Sequence, residues 1–151
     1  MSDKSFKNTK LLFPDGLEFV EKSNGSIIGF DKYKPDKSYA DQSGQITLVI
    51  ESTSTGDRKV GIGELLQAEK YFCDHNVSGT LIFSLSGSSN NSPRPNTQKQ
   101  YLQPYFDFLK QQNSNIGVYE IYLILESDLR ALDWYVMNDA FREKADRISK
   151  T

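Results

Sequence analysis

The segment that most constrains the fold is Ile46-Thr47-Leu48-Val49-Ile50-Glu51. It is rich in β-branched residues and almost continuously apolar, a pattern that suits a strand covered on both faces. Thr80-Leu81-Ile82-Phe83-Ser84-Leu85 and Val118-Tyr119-Glu120-Ile121-Tyr122-Leu123-Ile124-Leu125 have the same character. Between the first two runs, residues 64–75 carry Leu65, Leu66, Ala68, Phe72 and Cys73 as a wide apolar stripe at helical spacing. A helix joining two buried strands predicts a βαβ unit and a partly parallel sheet.

Weaker signals fill in the rest. Leu17-Glu18-Phe19-Val20-Glu21 alternates apolar and polar residues, as a half-buried strand does. Ser23-Asn24-Gly25-Ser26 marks a turn, and residues 27–33 read as the second strand of a hairpin. Residues 34–44 read as a polar loop, residues 52–63 as a glycine-containing loop, and residues 86–96 as a surface loop. Residues 97–112 form a second helix in which Pro104 introduces a kink or marks the start. Residues 130–149 place Leu132, Val136, Ala140, Phe141, Ala145 and Ile148 on one side of a C-terminal helix. The expected fold is α/β, a mixed central sheet flanked by helices in the order β-β-β-α-β-α-β-α, within one domain spanning residues 1–151.

Composition narrows the function classes. No apolar run approaches the ~20 residues that span a bilayer, and residues 1–7 lack the apolar core of a secretory signal. One cysteine rules out an internal disulfide framework, and one histidine beside it argues against a structural zinc site. A reducing, cytoplasmic setting is expected. The net charge of −2 argues against a nonspecific coat on DNA, but an enzyme with a local basic groove is compatible with it.

Glu51 ends a buried-type strand, where a carboxylate has to be paired, hydrogen-bonded or bound to a cation. The alternative is that it opens the following loop and is solvated. Asp31, within the expected second strand, comes close to Glu51 if the two strands pair antiparallel. Two carboxylates and a nearby carbonyl are a donor set for a hard divalent cation. Asp36 and Asp41 are the second and third choices for the first acid, both in the expected loop. Asp57-Arg58-Lys59, followed by Gly61 and Gly63, reads as a solvated glycine loop or a phosphate contact near a helix start. His75 suits a helix cap, Cys73 a core position, and the aromatic residues Tyr101, Tyr105, Tyr119, Tyr122, Trp134 and Tyr135 core packing.

The order β-β-β-α-β, with one acid on the second strand and another at the end of the third, resembles the core of the PD-(D/E)XK nuclease superfamily. Gly29-Phe30-Asp31 is similar to one branch, and Gln67-Ala68-Glu69-Lys70-Tyr71 matches the Gln-x-x-x-Tyr signature that some members carry on the following helix. The likeness covers roughly residues 17–85. It implies a restriction-endonuclease-like fold and hydrolysis of phosphodiester bonds in DNA with Mg²⁺ or Mn²⁺. It also implies Asp31, Glu51 and the Ser52 carbonyl as metal ligands, with Gln67 and Tyr71 supporting the substrate strand. The family motif continues acid-x-Lys, whereas this chain reads Glu51-Ser52-Thr53. Lys59 and Lys70 are the candidates to supply the missing ammonium, and Thr53 and Arg58 are candidate substrate contacts. A homodimer is expected, because cutting both strands of a duplex takes two sites. The competing expectation is a catalytically inactive scaffold that binds protein or nucleic acid.

Overall fold

The computed structural model describes residues 6–86 and 92–150. Its strands are β1 (Val20–Ser23), β2 (Lys37–Ala40), β3 (Ile46–Thr53), β4 (Ser78–Leu85), β5 (Gly117–Leu125) and β6 (Asp146–Ser149). Its helices are α1 (Arg58–Asp74) between β3 and β4, α2 (Pro95–Gln112) between β4 and β5, and α3 (Glu126–Ala131) and α4 (Asp139–Lys144) between β5 and β6. The strands form one six-stranded sheet in the order β1-β2-β3-β4-β5-β6. β3, β4 and β5 run parallel, while β1, β2 and β6 pair antiparallel at the two edges. The architecture is therefore α/β, with an open mixed sheet flanked by helices.

The continuous apolar runs are explained by burial on both sides. Val49, Leu81, Phe83, Ile121 and Leu123 pack with Leu65 and Phe72 of α1 and Phe106 of α2. Their strand neighbours Leu48, Ile50, Ile82, Tyr122 and Ile124 pack on the opposite face with Phe6, Leu11, Leu129 and Phe141. Side chains alternate between faces along a strand, so each central strand feeds both cores.

The expected hairpin of residues 17–33 is not formed. Residues 27–33 make a turn, with Lys32 in the left-handed region at φ 61° and the Ile28 N–H donating to the Tyr33 carbonyl at 3.0 Å. Ile27 and Phe30 are exposed, Phe30 at 93%. The strand beside β3 is instead β2, inside the segment expected to be a polar loop. Its four residues are all buried. The polar composition misleads because Lys37 is neutralised in place. Its Nζ lies 3.3 Å from Glu21 Oε1 and donates to the Lys7 carbonyl at 3.1 Å.

The C-terminal helix expected over residues 130–149 is also corrected. Asp133, Trp134 and Met137 take positive φ of 55°, 65° and 67°, which a continuing right-handed helix does not accommodate. Asn138 then caps α4, accepting from the Phe141 N–H at 2.8 Å, and β6 closes the sheet with Ile148 opposite Ile121. α1 starts at Arg58, six residues before the expected Glu64, because the Asp57 side chain caps it by accepting from the Lys59 N–H. α2 starts at Pro95 and runs through Pro104. Residues 87–91 of the expected surface loop lie outside the described residues. Tyr122 is buried as expected, but Tyr105, Tyr119 and Tyr135 are exposed. Among the described residues, no helix is long and apolar enough to cross a membrane.

A buried ion pair fastens α1 and α2 to the sheet. Lys110 Nζ donates to both Glu69 oxygens at 2.9 and 3.1 Å, and Glu69 also accepts from the Val118 N–H at 2.7 Å. The carboxylate sits so close to Gly117 that an added Cβ would collide with Glu69 Oε1. Glu69→Ala strands the Lys110 charge and is expected to cost about 3–5 kcal/mol of stability in urea denaturation, whereas the Glu69→Met, Lys110→Met double variant should cost much less.

Candidate functional site

Antiparallel pairing places Lys37 opposite Ile50, so the next residues outward, Asp36 and Glu51, face each other across β2 and β3. The two acids are interlocked. The Asp36 N–H donates to Glu51 Oε1 at 3.0 Å, and the Ser52 N–H donates to Asp36 Oδ2 at 2.7 Å. Each carboxylate is thus fixed by a backbone amide, which sets its direction more firmly than a side-chain partner does.

Glu51 shares the helix-facing side of β3 with Val49 and Thr53 and is 6% exposed. Glu64 comes down from α1 to meet it. Thr53 Oγ1 donates to Glu64 Oε1 at 3.3 Å, and the Glu64 side chain hydrogen-bonds the Glu51 carboxyl. Burial pushes the Glu51 pKa up to about 9, the Glu64 charge adds to this, and the Asp36 amide opposes it. At neutral pH Glu51 therefore keeps its proton, which lets two carboxyl groups lie in contact.

Among the expected site residues, Asp31 is the chief correction. It was placed on a strand, but it lies in the turn before β2, half exposed, 2.6 Å from Lys70 Nζ. Lys70 is held there, with Asp74 at 2.7 Å on its other side. Asp31 and Lys70 thus form a surface ion pair, and the acid that meets Glu51 is Asp36, the literal Pro-Asp of the chain. Asp41 is used locally in the β2–β3 turn, accepting from the Ser43 N–H at 2.9 Å. Arg58 and Lys59 are exposed on the first turn of α1. Ser52 brings its amide to the cluster, as described. Gln67 is exposed and its Nε2 donates to the Gly63 carbonyl at 3.3 Å. Tyr71 is buried, with its ring 6.0 Å from that of Tyr33 and 4.2 Å from that of His75. His75 caps α1, its Nδ1 2.8 Å from the Tyr71 carbonyl, as expected.

Two residues of the cluster escaped the sequence reading. Glu64 stands at the start of the helix expected over residues 64–75, with no role assigned to it. Tyr33 was counted as a strand residue, yet it is 4% exposed and its hydroxyl has no hydrogen-bond partner. Burial, followed by the charges of Glu51, Glu64 and Asp36, raises its pKa well above the usual tyrosine value. The only available signal was its position three residues before Asp36.

The donor chemistry suits a hard divalent cation, being all carboxylate oxygen. A cation bound here would have to replace the proton on Glu51. Among the described residues, no group of three or more His, Cys, Asp or Glu is placed to hold a metal ion. No family model matches the chain, and no curated protein or solved structure matches it.

The raised pKa sets a sign for stability against pH. Glu51 binds a proton in the folded state that the unfolded chain releases above its ordinary pKa of 4.5. This contribution is complete below that value and is lost as pH rises toward 9. Thermal melts from pH 5 to 9 should show wild-type stability falling across the window. Glu51→Gln, which mimics the protonated carboxyl, should flatten that fall and melt several degrees above wild type at pH 8.5.

Proposed function

We propose that this chain is a metal-dependent nuclease, or a protein derived from one, with a PD-(D/E)XK-like core acting on phosphodiester bonds in DNA. The observation that carries the reading is the interlocked pair Asp36 and Glu51. Pro35-Asp36 stands at the start of one strand and Glu51-Ser52-Thr53 on its antiparallel neighbour, on the side covered by the helix that bears Gln67 and Tyr71. This pairing supports the reading, with Asp36 in the role that the resemblance gives to Asp31. Mg²⁺ or Mn²⁺, when bound, would activate water and offset charge on the phosphate.

The protein's own contribution is positional. Asp36 and Glu51 would hold the ion, each oriented by an amide. Glu64 would add a third carboxylate, itself held by Thr53. Gln67 lies three residues beyond Glu64 on α1, on a neighbouring part of the helix surface, where an exposed amide side chain can meet a sugar-phosphate backbone. Arg58 and Lys59, exposed at the start of α1, supply cations for more distant phosphates. A homodimer remains part of the proposal, on the same two-strand argument.

A second reading has its own observation. Thr53 stands where the motif has lysine, and its hydroxyl is spent on Glu64. A site without that ammonium can keep binding while losing cleavage, which makes the chain a nucleic-acid- or protein-binding scaffold.

Plasmid cleavage in Mn²⁺ or Mg²⁺ separates the readings. Asp36→Asn and Glu51→Gln are expected to lose activity about 100-fold or more, since each removes a ligand that would hold the ion, while Asp31→Asn should stay within about threefold of wild type because its partner is the exposed Lys70. Cleavage that survives Glu51→Gln contradicts the site. DNA binding without cleavage by the wild type supports the scaffold.

A further inference from the structure

Three buried side-chain oxygens in the described residues have no hydrogen-bond partner: those of Tyr33, Ser84 and Glu126. Glu126 has other interactions. Ser84, next to Phe83 on β4, belongs by alternation to the opposite face of the sheet from Glu51. Tyr33 alone belongs to the acidic cluster.

The Tyr33 ring packs on Tyr71 of α1 in the core that contains Val49 and Leu65, which flank Glu51 and Glu64 in sequence. The Tyr33 carbonyl closes the turn at Ile28, and the chain then reaches Asp36 three residues later. The segment that carries the ring also delivers Asp36, and the charges of Glu51, Glu64 and Asp36 all act on the hydroxyl. Nearby acidic oxygens are natural acceptors, yet it bonds to none of them. A buried hydroxyl loses its hydration and regains it only through a new acceptor. Lysine is missing from the motif at Thr53, and the Thr53 hydroxyl already serves Glu64. The site thus has carboxylates to hold a cation but still needs a donor for a phosphate oxygen.

We infer that the Tyr33 hydroxyl is that donor, a substrate-binding group that gives its hydrogen to a non-bridging oxygen of the phosphodiester held at Asp36, Glu51 and Glu64. The inference rests on the nuclease reading above. It replaces the function of the missing lysine only in part, since tyrosine supplies a hydrogen bond and no charge. The cation and the exposed bases at the start of α1 have to provide the rest.

Tyr33→Phe removes the oxygen and leaves the ring. Three measurements on the full chain test it, namely the thermal melt without ligand, calorimetric Mn²⁺ binding, and the affinity for fluorescein-labelled duplex DNA in Ca²⁺ at a temperature where both proteins are fully folded. The expected result is a melting temperature equal to or above wild type, unchanged Mn²⁺ affinity, and DNA affinity reduced about tenfold or more. DNA affinity that Tyr33→Phe leaves unchanged, while wild type binds DNA, overturns the inference alone. A wild type that binds neither Mn²⁺ nor DNA overturns the nuclease reading beneath it. A fall in melting temperature with unaltered DNA affinity assigns the hydroxyl a purely structural role.

Discussion

The site depends on one arrangement, a glutamic acid placed on the interior face of a central strand. β3 is covered on both sides, so the side chain of Glu51 cannot escape to solvent without disrupting the strand. Burial makes its charge costly, and everything around it answers that cost. The Asp36 amide donates to it, Glu64 shares its proton, and Thr53 steadies Glu64. An apolar residue at position 51 would remove that cost but leave the Asp36 amide and Glu64 without their partner.

The same arrangement links fold to chemistry. Parallel pairing of β3 and β4 requires a crossover, and α1 supplies it. That crossover brings Glu64 over Glu51 and carries Gln67 and Tyr71 away from it along the same helix. On the other side, antiparallel β2 brings Asp36 to the same point. The catalytic proposal thus uses three consecutive elements, while β4 and β5 serve as the rigid floor. The Glu69–Lys110 pair, on the far turns of α1, fastens the helix that positions Glu64.

The buried middle of the fold was legible because continuous apolar runs have few alternatives. β3, α1, β4, α2 and β5 are recognisable within a few residues. The edges were not, for reasons specific to each. β2 is short and its buried residues include Lys37 and Ser38, so its polarity suggested a loop until tertiary partners are considered. Residues 27–33 looked like a strand by composition, but the left-handed Lys32 turned them aside. The C-terminal apolar spacing fitted a helix, yet three left-handed residues break it and the last four described positions before Lys150 join the sheet. An expected strand at residues 27–33 puts Asp31 beside Glu51, a place that Asp36 takes in the fold. Glu51 was legible from its place at the end of β3, and Gln67 and Tyr71 from their spacing. Glu64 and Tyr33 depend on tertiary contacts that no local pattern encodes.

The central claim is that protonated Glu51 exchanges its proton for a divalent cation. Mn²⁺ titrations by calorimetry at pH 7.5, in two buffers of different ionisation enthalpy, measure this directly. The account predicts binding with release of about one proton per ion, since a ligating carboxylate must be deprotonated, and loss of both binding and proton release in Glu51→Gln. Binding of equal strength in Glu51→Gln, or binding with no proton released, would contradict it.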